Sequence, residues 1–180
     1  AAGSMAIGAL SIEEACRRSK RIDIYVGGER RDDALVDAAV STQMFVGARA
    51  VWDTKTLHAM FLTRAEPASI GLSSIGSRIM PISIDEGHGL YIRLAGEPGP
   101  NATTVRAPIA PGMISDVEIL EWRKFFPGEK IKIDIHPGTI ALDGEREVEL
   151  LPNQDVYATL SMDGPWVVDV PKALMLLATR

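Results

Sequence analysis

Short segments in which apolar and polar residues alternate make up much of the chain. Residues 90–94 and 131–135 are the clearest examples, and turn residues separate such segments at intervals close to the roughly 8–12 residues typical of sandwiches. The other predicted strands are 22–26, 34–42, 45–51, 61–63, 104–107, 114–119, 139–142, 147–151, 156–162 and 167–170. This density of strands predicts a mainly β protein, a β-sandwich with a few short helices.

A capping box marks the start of the first predicted helix. Ser11 is followed three residues later by Glu14, so we expect a helix from Ser11 to about Lys20. The other predicted helices are 54–58, capped by Thr54, 67–77, which opens with Pro67, and 171–178, which opens with Pro171. Gly71 and Gly76 each cost the third helix about 1 kcal/mol relative to alanine, so packing or binding must require them.

Composition narrows the class of protein. The 180 residues fit one domain, and 46% are apolar and 24% charged, with a net charge of −5. The basic run of Arg17, Arg18, Lys20 and Arg21 is expected on a solvated helix face, so nucleic acid is not an expected partner. Cys16 is the only cysteine, which predicts a reducing cytoplasm, and no apolar stretch approaches the ~20 residues of a membrane span.

Motifs of common enzymes are missing. The glycines between 71 and 76 lack the lysine of a phosphate-binding loop, and they miss a serine nucleophile elbow by one residue, so a serine hydrolase is a weak alternative. His58 is expected in a short helix and His136 in a turn. His88 follows Asp85 and Glu86, but half of a zinc ligand set is lacking and no metal site is expected.

Two constellations remain. The segment 67–77 carries small residues that either allow close helix packing or form a surface receiving a ribose or phosphate at a helix start. The second is Asp143-Gly144-Glu145 between two apolar segments, which predicts a tight hairpin whose central residues have positive φ. Taken alone, the hairpin is explained as a solvated tip.

These constellations occur in order within a longer pattern. The segments that carry it are 34–40, 45–53, 65–73, 107–112, 139–147 and 164–170. Together they resemble the acetoin catabolism protein X branch of the ATP-NAD kinase superfamily. The resemblance covers most of the chain from about Ala34 onward, and the segments 45–53 and 67–73 are the more specific.

That resemblance implies a two-domain enzyme. An N-terminal α/β domain holds ATP and magnesium through a Gly-Gly-Asp-Gly-Thr loop, and a C-terminal β-sandwich contributes to the NAD site and to oligomer contacts. By the resemblance this chain is the sandwich alone. Residues 1–5 are expected to be a tag remnant and start, 6–33 an N-terminal helix and strand, and 34–180 a domain similar to the C-terminal domain of NAD kinases. The implied partners are the ATP-binding domain and further copies.

Site residues follow from the resemblance residue by residue. The family's Asn-acidic pair falls at Val36-Asp37, where only the acid is retained, and the hairpin at Asp143 matches better. NAD or NADP is the implied acceptor substrate, and no catalytic residue is assigned. The implied contact residues are Asp37, Pro67, Ser69, Gly71, Ser73, Ser74, Asp143, Gly144 and Glu145.

Two functions are compatible with these features. In the first, the chain presents an NAD-like hydroxyl acceptor to ATP bound elsewhere and is inactive alone, because phosphoryl transfer depends on positioning and magnesium. In the second, it is a non-catalytic ligand-binding or assembly module, which fits the missing phosphate loop and the lost asparagine.

Overall fold

The computed structural model describes residues 8, 10–44 and 53–179. The predicted strand 45–51 lies outside them. The described strands are β1 Cys16–Arg18, β2 Arg21–Val26, β3 Glu29–Ala34, β4 Asp37–Ser41, β5 Leu57–Leu62, β6 Gly89–Leu94, β7 Thr103–Ala110, β8 Met113–Phe125, β9 Lys130–Lys132, β10 Gly138–Leu142, β11 Arg146–Leu150, β12 Val156–Ser161 and β13 Trp166–Val168. The described α-helices are α1 Ile12–Ala15, α2 Ser73–Ile79 and α3 Val170–Ala178.

Two antiparallel sheets face each other. The larger has the strand order β11-β10-β4-β5-β6-β8-β7, and the smaller has the order β3-β2-β12-β9. A third, two-stranded sheet pairs β1 with β13. The mainly β fold with a few short helices is therefore confirmed. The division of the chain at residue 34 stays a prediction; β2 and most of β3 precede it and lie in the smaller sheet.

The alternation along the strands sorts apolar side chains into two cores. Ala38 and Val40 on β4 point into the space between the sheets, together with Phe61, Phe125 and Ile24. Residues of opposite parity, such as Ala39 on the same strand, form a second core on the outer face of the larger sheet. Helix α2 covers that face through Ile75. The order of layers is small sheet, large sheet, helix.

The predicted first helix is too long. Ser11 does form a capping box with Glu14: its hydroxyl accepts from the Glu14 backbone N at 3.2 Å and its own N donates to the Glu14 carboxylate at 2.8 Å. The helix nevertheless ends at Ala15, because the next residues form β1 and Cys16 pairs with Val168. A partner strand distant in sequence overrides the local helix preference.

The two central helix predictions also need correction. Asp53, rather than Thr54, caps a 3-10 turn at Thr54–Thr56, and its Oδ1 accepts from the Lys55 backbone N at 3.0 Å. His58 consequently lies on β5. Pro67 occupies a turn in which the Ser69 N donates to the Glu66 carbonyl at 2.9 Å, and α2 starts only at Ser73. No helix in the described part of the chain is long and apolar enough to span a bilayer.

Candidate functional site

The Asp143 carboxylate lies in a corner made by the connection between β3 and β4. Its oxygens accept hydrogen bonds from the backbone N–H groups of Leu35 at 2.7 Å, Val36 at 2.7 Å and Asp37 at 3.1 Å. The Asp143 backbone N donates to the Asp37 carbonyl at 3.0 Å. Three convergent N–H groups form a nest that favours an anion, so this side chain anchors the β10–β11 hairpin to the start of β4.

The turn that carries Asp143 has the predicted conformation. Asp143 and Gly144 have φ of 52° and 68°, and the Glu145 N donates to the Leu142 carbonyl at 3.0 Å. Positive φ at both central residues is what the Asp-Gly pair favours. Arg146 also links the hairpin to β3. It forms an ion pair with Asp32 and donates a hydrogen bond to a neighbouring backbone carbonyl at 2.7 Å. Asp143 and Gly144 therefore have structural roles, whereas Glu145 is exposed.

Asp37 is the unusual member of this corner. It is half-buried at the start of β4, opposite Leu62 of β5. Burial, together with the negative charge of Asp143, raises the pKa of the Asp37 carboxyl from 3.8 to about 6. Within the described part of the chain, no side chain or backbone group donates a hydrogen bond to this carboxyl. A partly desolvated carboxyl without a partner costs stability, which makes it the strongest candidate for a ligand contact.

The parity of β4 sets the direction in which Asp37 faces. Ala39, two residues later, belongs to the outer core that α2 covers, and side chains two apart share a face of a sheet. Asp37 therefore lies at the rim of the face on which α2 packs, and the Asp143 hairpin lies beside it.

More of the segment 67–77 is used for packing inside the domain than the sequence indicated. The backbone N of Gly71 and the hydroxyl of Ser74 both donate to the Pro108 carbonyl on β7, at 3.0 and 3.1 Å. The hydroxyl of Ser77 donates to the Ser74 carbonyl at 2.8 Å. A Cβ at Gly76 would clash with Cδ1 of the buried Leu62, so a larger residue there would require that side chain to move.

The expected anion site at a helix start is not supported. Helix α2 has seven residues, Leu72 at its N-cap provides no side-chain cap, and Ser73 is buried. The hydrogen bonds of the segment reach neither Asp37 nor Asp143. What faces outward is the turn before the helix, with Pro67 exposed and Ser69 half-buried.

A depression of about 370 Å³ lies beside that turn. It is lined by Ala65, Glu66, Pro67, Pro81, Ile82, Ser83 and Glu86. The isolated bridge between Ala65 and Ile82 forms its floor, with mutual backbone hydrogen bonds of 2.9 and 3.0 Å. Its volume is within the range of small-molecule sites, and it is a concave surface beside the candidate segment.

Lys20 holds the wall of this depression and was missed in the sequence. Its side chain is buried, and Nζ donates to the carbonyls of Ser83 at 3.0 Å, Glu86 at 2.8 Å and His88 at 2.8 Å. Burial lowers its pKa to about 8. The basic run is thus not a solvated helix face, since Arg17 lies on β1. No local signal marks Lys20, because its three acceptors are more than sixty residues away.

The acidic residues near His88 point in different directions. Asp85 pairs with Arg17 at 3.0 Å, while the Nε2 of the buried His88 lies 3.4 Å from the Glu86 carboxylate. Among the residues described, no three His, Cys, Asp or Glu side chains are grouped so that they could hold a metal ion.

The geometry defines a two-sheet antiparallel β-sandwich domain. Its candidate site is the corner that holds the carboxyl groups of Asp37 and Asp143. The chain belongs to the family described as acetoin catabolism protein X C-terminal domain, which it matches over residues 20–163. It is 42% identical over 164 residues to acetoin catabolism protein X of Cupriavidus necator, a match that covers 89% of this chain and 45% of that protein. The chain therefore spans less than half the length of this relative.

Proposed function

We propose that this domain presents a hydroxyl-bearing, NAD-like acceptor to ATP bound by another part of the full-length protein. The observation that carries the proposal is Asp37, a half-buried carboxyl with a raised pKa and no partner in the described structure. Such a group accepts hydrogen bonds from the vicinal hydroxyls of a ribose, and a bound hydroxyl would replace the water that burial has removed. The family membership supports a role in a larger protein of acetoin catabolism.

The surroundings of Asp37 suit a residue that positions the acceptor. Asp143 holds the backbone of residues 35–37 with three hydrogen bonds, so the carboxyl projects from an anchored corner. In phosphoryl transfer the protein acts largely by positioning the acceptor and by stabilising charge. In this proposal Asp37 orients the acceptor, while ATP and magnesium are bound by the preceding domain that the resemblance to NAD kinases implies.

Titration of NAD and NADP into the isotopically labelled chain, followed by NMR, tests this proposal. Two or three polar contacts without the second domain support a dissociation constant near 1 mM, which corresponds to about −4 kcal/mol. We expect shifts around Asp37, Ser69 and Glu145, and Asp37→Ala should weaken binding about fivefold, as loss of one net hydrogen bond predicts. Asp134→Ala removes an exposed carboxyl elsewhere and is the matched control. Equal dissociation constants for Asp37→Ala and Asp134→Ala would refute the assignment of Asp37.

A non-catalytic assembly module is the second candidate. Ser74 and Ser77 use their hydroxyls inside the domain and Gly76 allows close packing, so the segment 67–77 has a sufficient structural role. The absence of any shift at millimolar NAD and NADP would favour this function. Formation of homo-oligomers is proposed in either case, and light scattering at high protein concentration measures it directly.

A further inference from the structure

Two segments from opposite ends of the chain form one small unit outside the sandwich. It consists of α1 and β1 on one side and β13 and α3 on the other, and we call it the terminal unit. β1 and β13 pair antiparallel, with Cys16 opposite Val168. The Asp169 N donates to the Ala15 carbonyl at 2.8 Å, and Ala173 of α3 is buried with Ala15. The family match covers residues 20–163, so all four elements of the unit lie outside it.

The terminal unit has little core of its own. Among the described residues, its buried cluster contains Leu10, Ala15 and Ala173, with Leu176 and Leu177 partly buried against them, whereas the two sandwich cores contain eighteen and fifteen buried residues. A nine-residue helix is marginal in water without packing. The unit therefore gains most of its stability from contacts that this small cluster does not provide.

The exposed surface of α3 is largely apolar. In α3, Leu174 is 53% exposed and Met175 71% exposed, and Lys172 is the single charged residue of the helix. Ile12 of α1 and Trp166 of β13 are exposed to a similar degree. A helix that is apolar on nearly all sides normally lies against protein on more than one side. Exposed apolar side chains gathered in this way mark an interaction surface.

The family relationship indicates what covers this surface. The matched family is a C-terminal domain, and the match leaves more than half of the Cupriavidus necator protein outside. Polypeptide that precedes the matched residues reaches them through α1 and β1, which come directly before residue 20. A preceding domain is therefore tethered at the terminal unit, and the tether gives it a high effective concentration there.

We infer that the terminal unit is the docking surface for the domain that precedes this one in family proteins, with Leu174 and Met175 of α3 at the contact. The chain would thus leave the preceding domain, form the sandwich, and return through α3 to pack against that domain. Packing of both flanking segments onto one partner fixes the orientation of the two domains. The inference does not depend on acceptor binding.

Two lysine substitutions in α3 test the inference. In the 180-residue chain, Leu174→Lys with Met175→Lys should leave the melting temperature within about 2 °C, because both side chains are exposed. Binding of a dye specific for exposed apolar surface should fall at least twofold. The matched control is Met113→Lys with Ile114→Lys on the β7–β8 hairpin, where the side chains are 39% and 68% exposed.

The same two pairs of substitutions are then made at the corresponding positions of the full-length Cupriavidus necator protein. Lysines buried in an interface are costly, so we expect the α3 pair to lower the melting temperature by at least about 5 °C. Limited proteolysis between the two parts should become at least tenfold faster, and the hairpin pair should change neither measurement. An unaffected full-length protein would overturn the inference. A dimer of the 180-residue chain that the α3 pair dissociates would overturn it as well, because the face would then belong to a second copy.

Discussion

Asp37 should destabilise the native protein at neutral pH, and Asp37→Asn should relieve that cost. The carboxyl is half-buried, has no hydrogen-bond donor in the described structure and lies beside the Asp143 carboxylate. These causes raise its pKa to about 6 in the native state, against 3.8 for a solvated carboxyl. Ionisation is therefore less favourable in the folded protein than in the unfolded chain.

The size of the effect follows from the difference in pKa. Each pKa unit corresponds to 1.36 kcal/mol, so a difference of about two units sets an upper value near 3 kcal/mol. Asp37 retains some contact with solvent, which screens its charge. We therefore expect that Asp37→Asn increases the free energy of unfolding by about 1–3 kcal/mol at pH 8.

The contribution of Asp37 to the free energy of unfolding changes with pH in a defined direction. Well below pH 3.8 the carboxyl is protonated in both states, and its stability contribution is fully present. As the pH rises through 6 the unfolded chain loses its proton first, and the contribution is lost. Urea unfolding of wild type and Asp37→Asn at pH 4 and pH 8 should thus show a difference in unfolding free energy at pH 8 that is much smaller at pH 4.

Asp134→Asn is the control for this experiment, because it removes an exposed carboxyl that pairs with Lys132 at 3.2 Å. It should change the free energy of unfolding by less than about 1 kcal/mol at either pH. An Asp37→Asn protein that is less stable than wild type at pH 8 would refute the reasoning, since the carboxylate would then have a stabilising partner.

The remaining expectations concern the anchors of the site and the isolated chain. Asp143→Ala leaves three N–H groups without their acceptor and should cost about 3 kcal/mol, measured by urea unfolding; a loss under 1 kcal/mol would contradict the anchoring role. Gly144→Val places a β-branched residue at φ 68° and should cost about 1–3 kcal/mol, which an unchanged melting temperature would disprove. Because burial lowers the Lys20 pKa to about 8, wild type should gain stability relative to Lys20→Met between pH 8 and 10. Plots of unfolding free energy against pH that run parallel for the two proteins would contradict this. The isolated chain should not phosphorylate NAD with ATP and magnesium, and turnover that survives purification would refute this expectation.

Local chemistry explains which predictions from the sequence are confirmed. The capping box at Ser11 and the hairpin at Asp143 each depend on residues within three or four positions of one another, and both are present. Alternation with a period of two likewise depends on neighbouring residues alone, so it predicted the mainly β fold. The end of the first helix depends on Val168, which is distant in sequence, and its prediction was wrong.

The sequence by itself determined the mainly β fold, the tight turn and the family to which the chain belongs, because these depend on residue types at short, constant spacings. Only the tertiary structure decided the roles of the site residues. Asp143 is an anchor because three N–H groups more than a hundred residues away converge on it. Asp37 is unusual because folding buries its carboxyl beside Asp143 without a hydrogen-bond donor among the described residues. Burial and convergence are properties of the packed chain, since desolvation and hydrogen bonding act on groups that folding brings together.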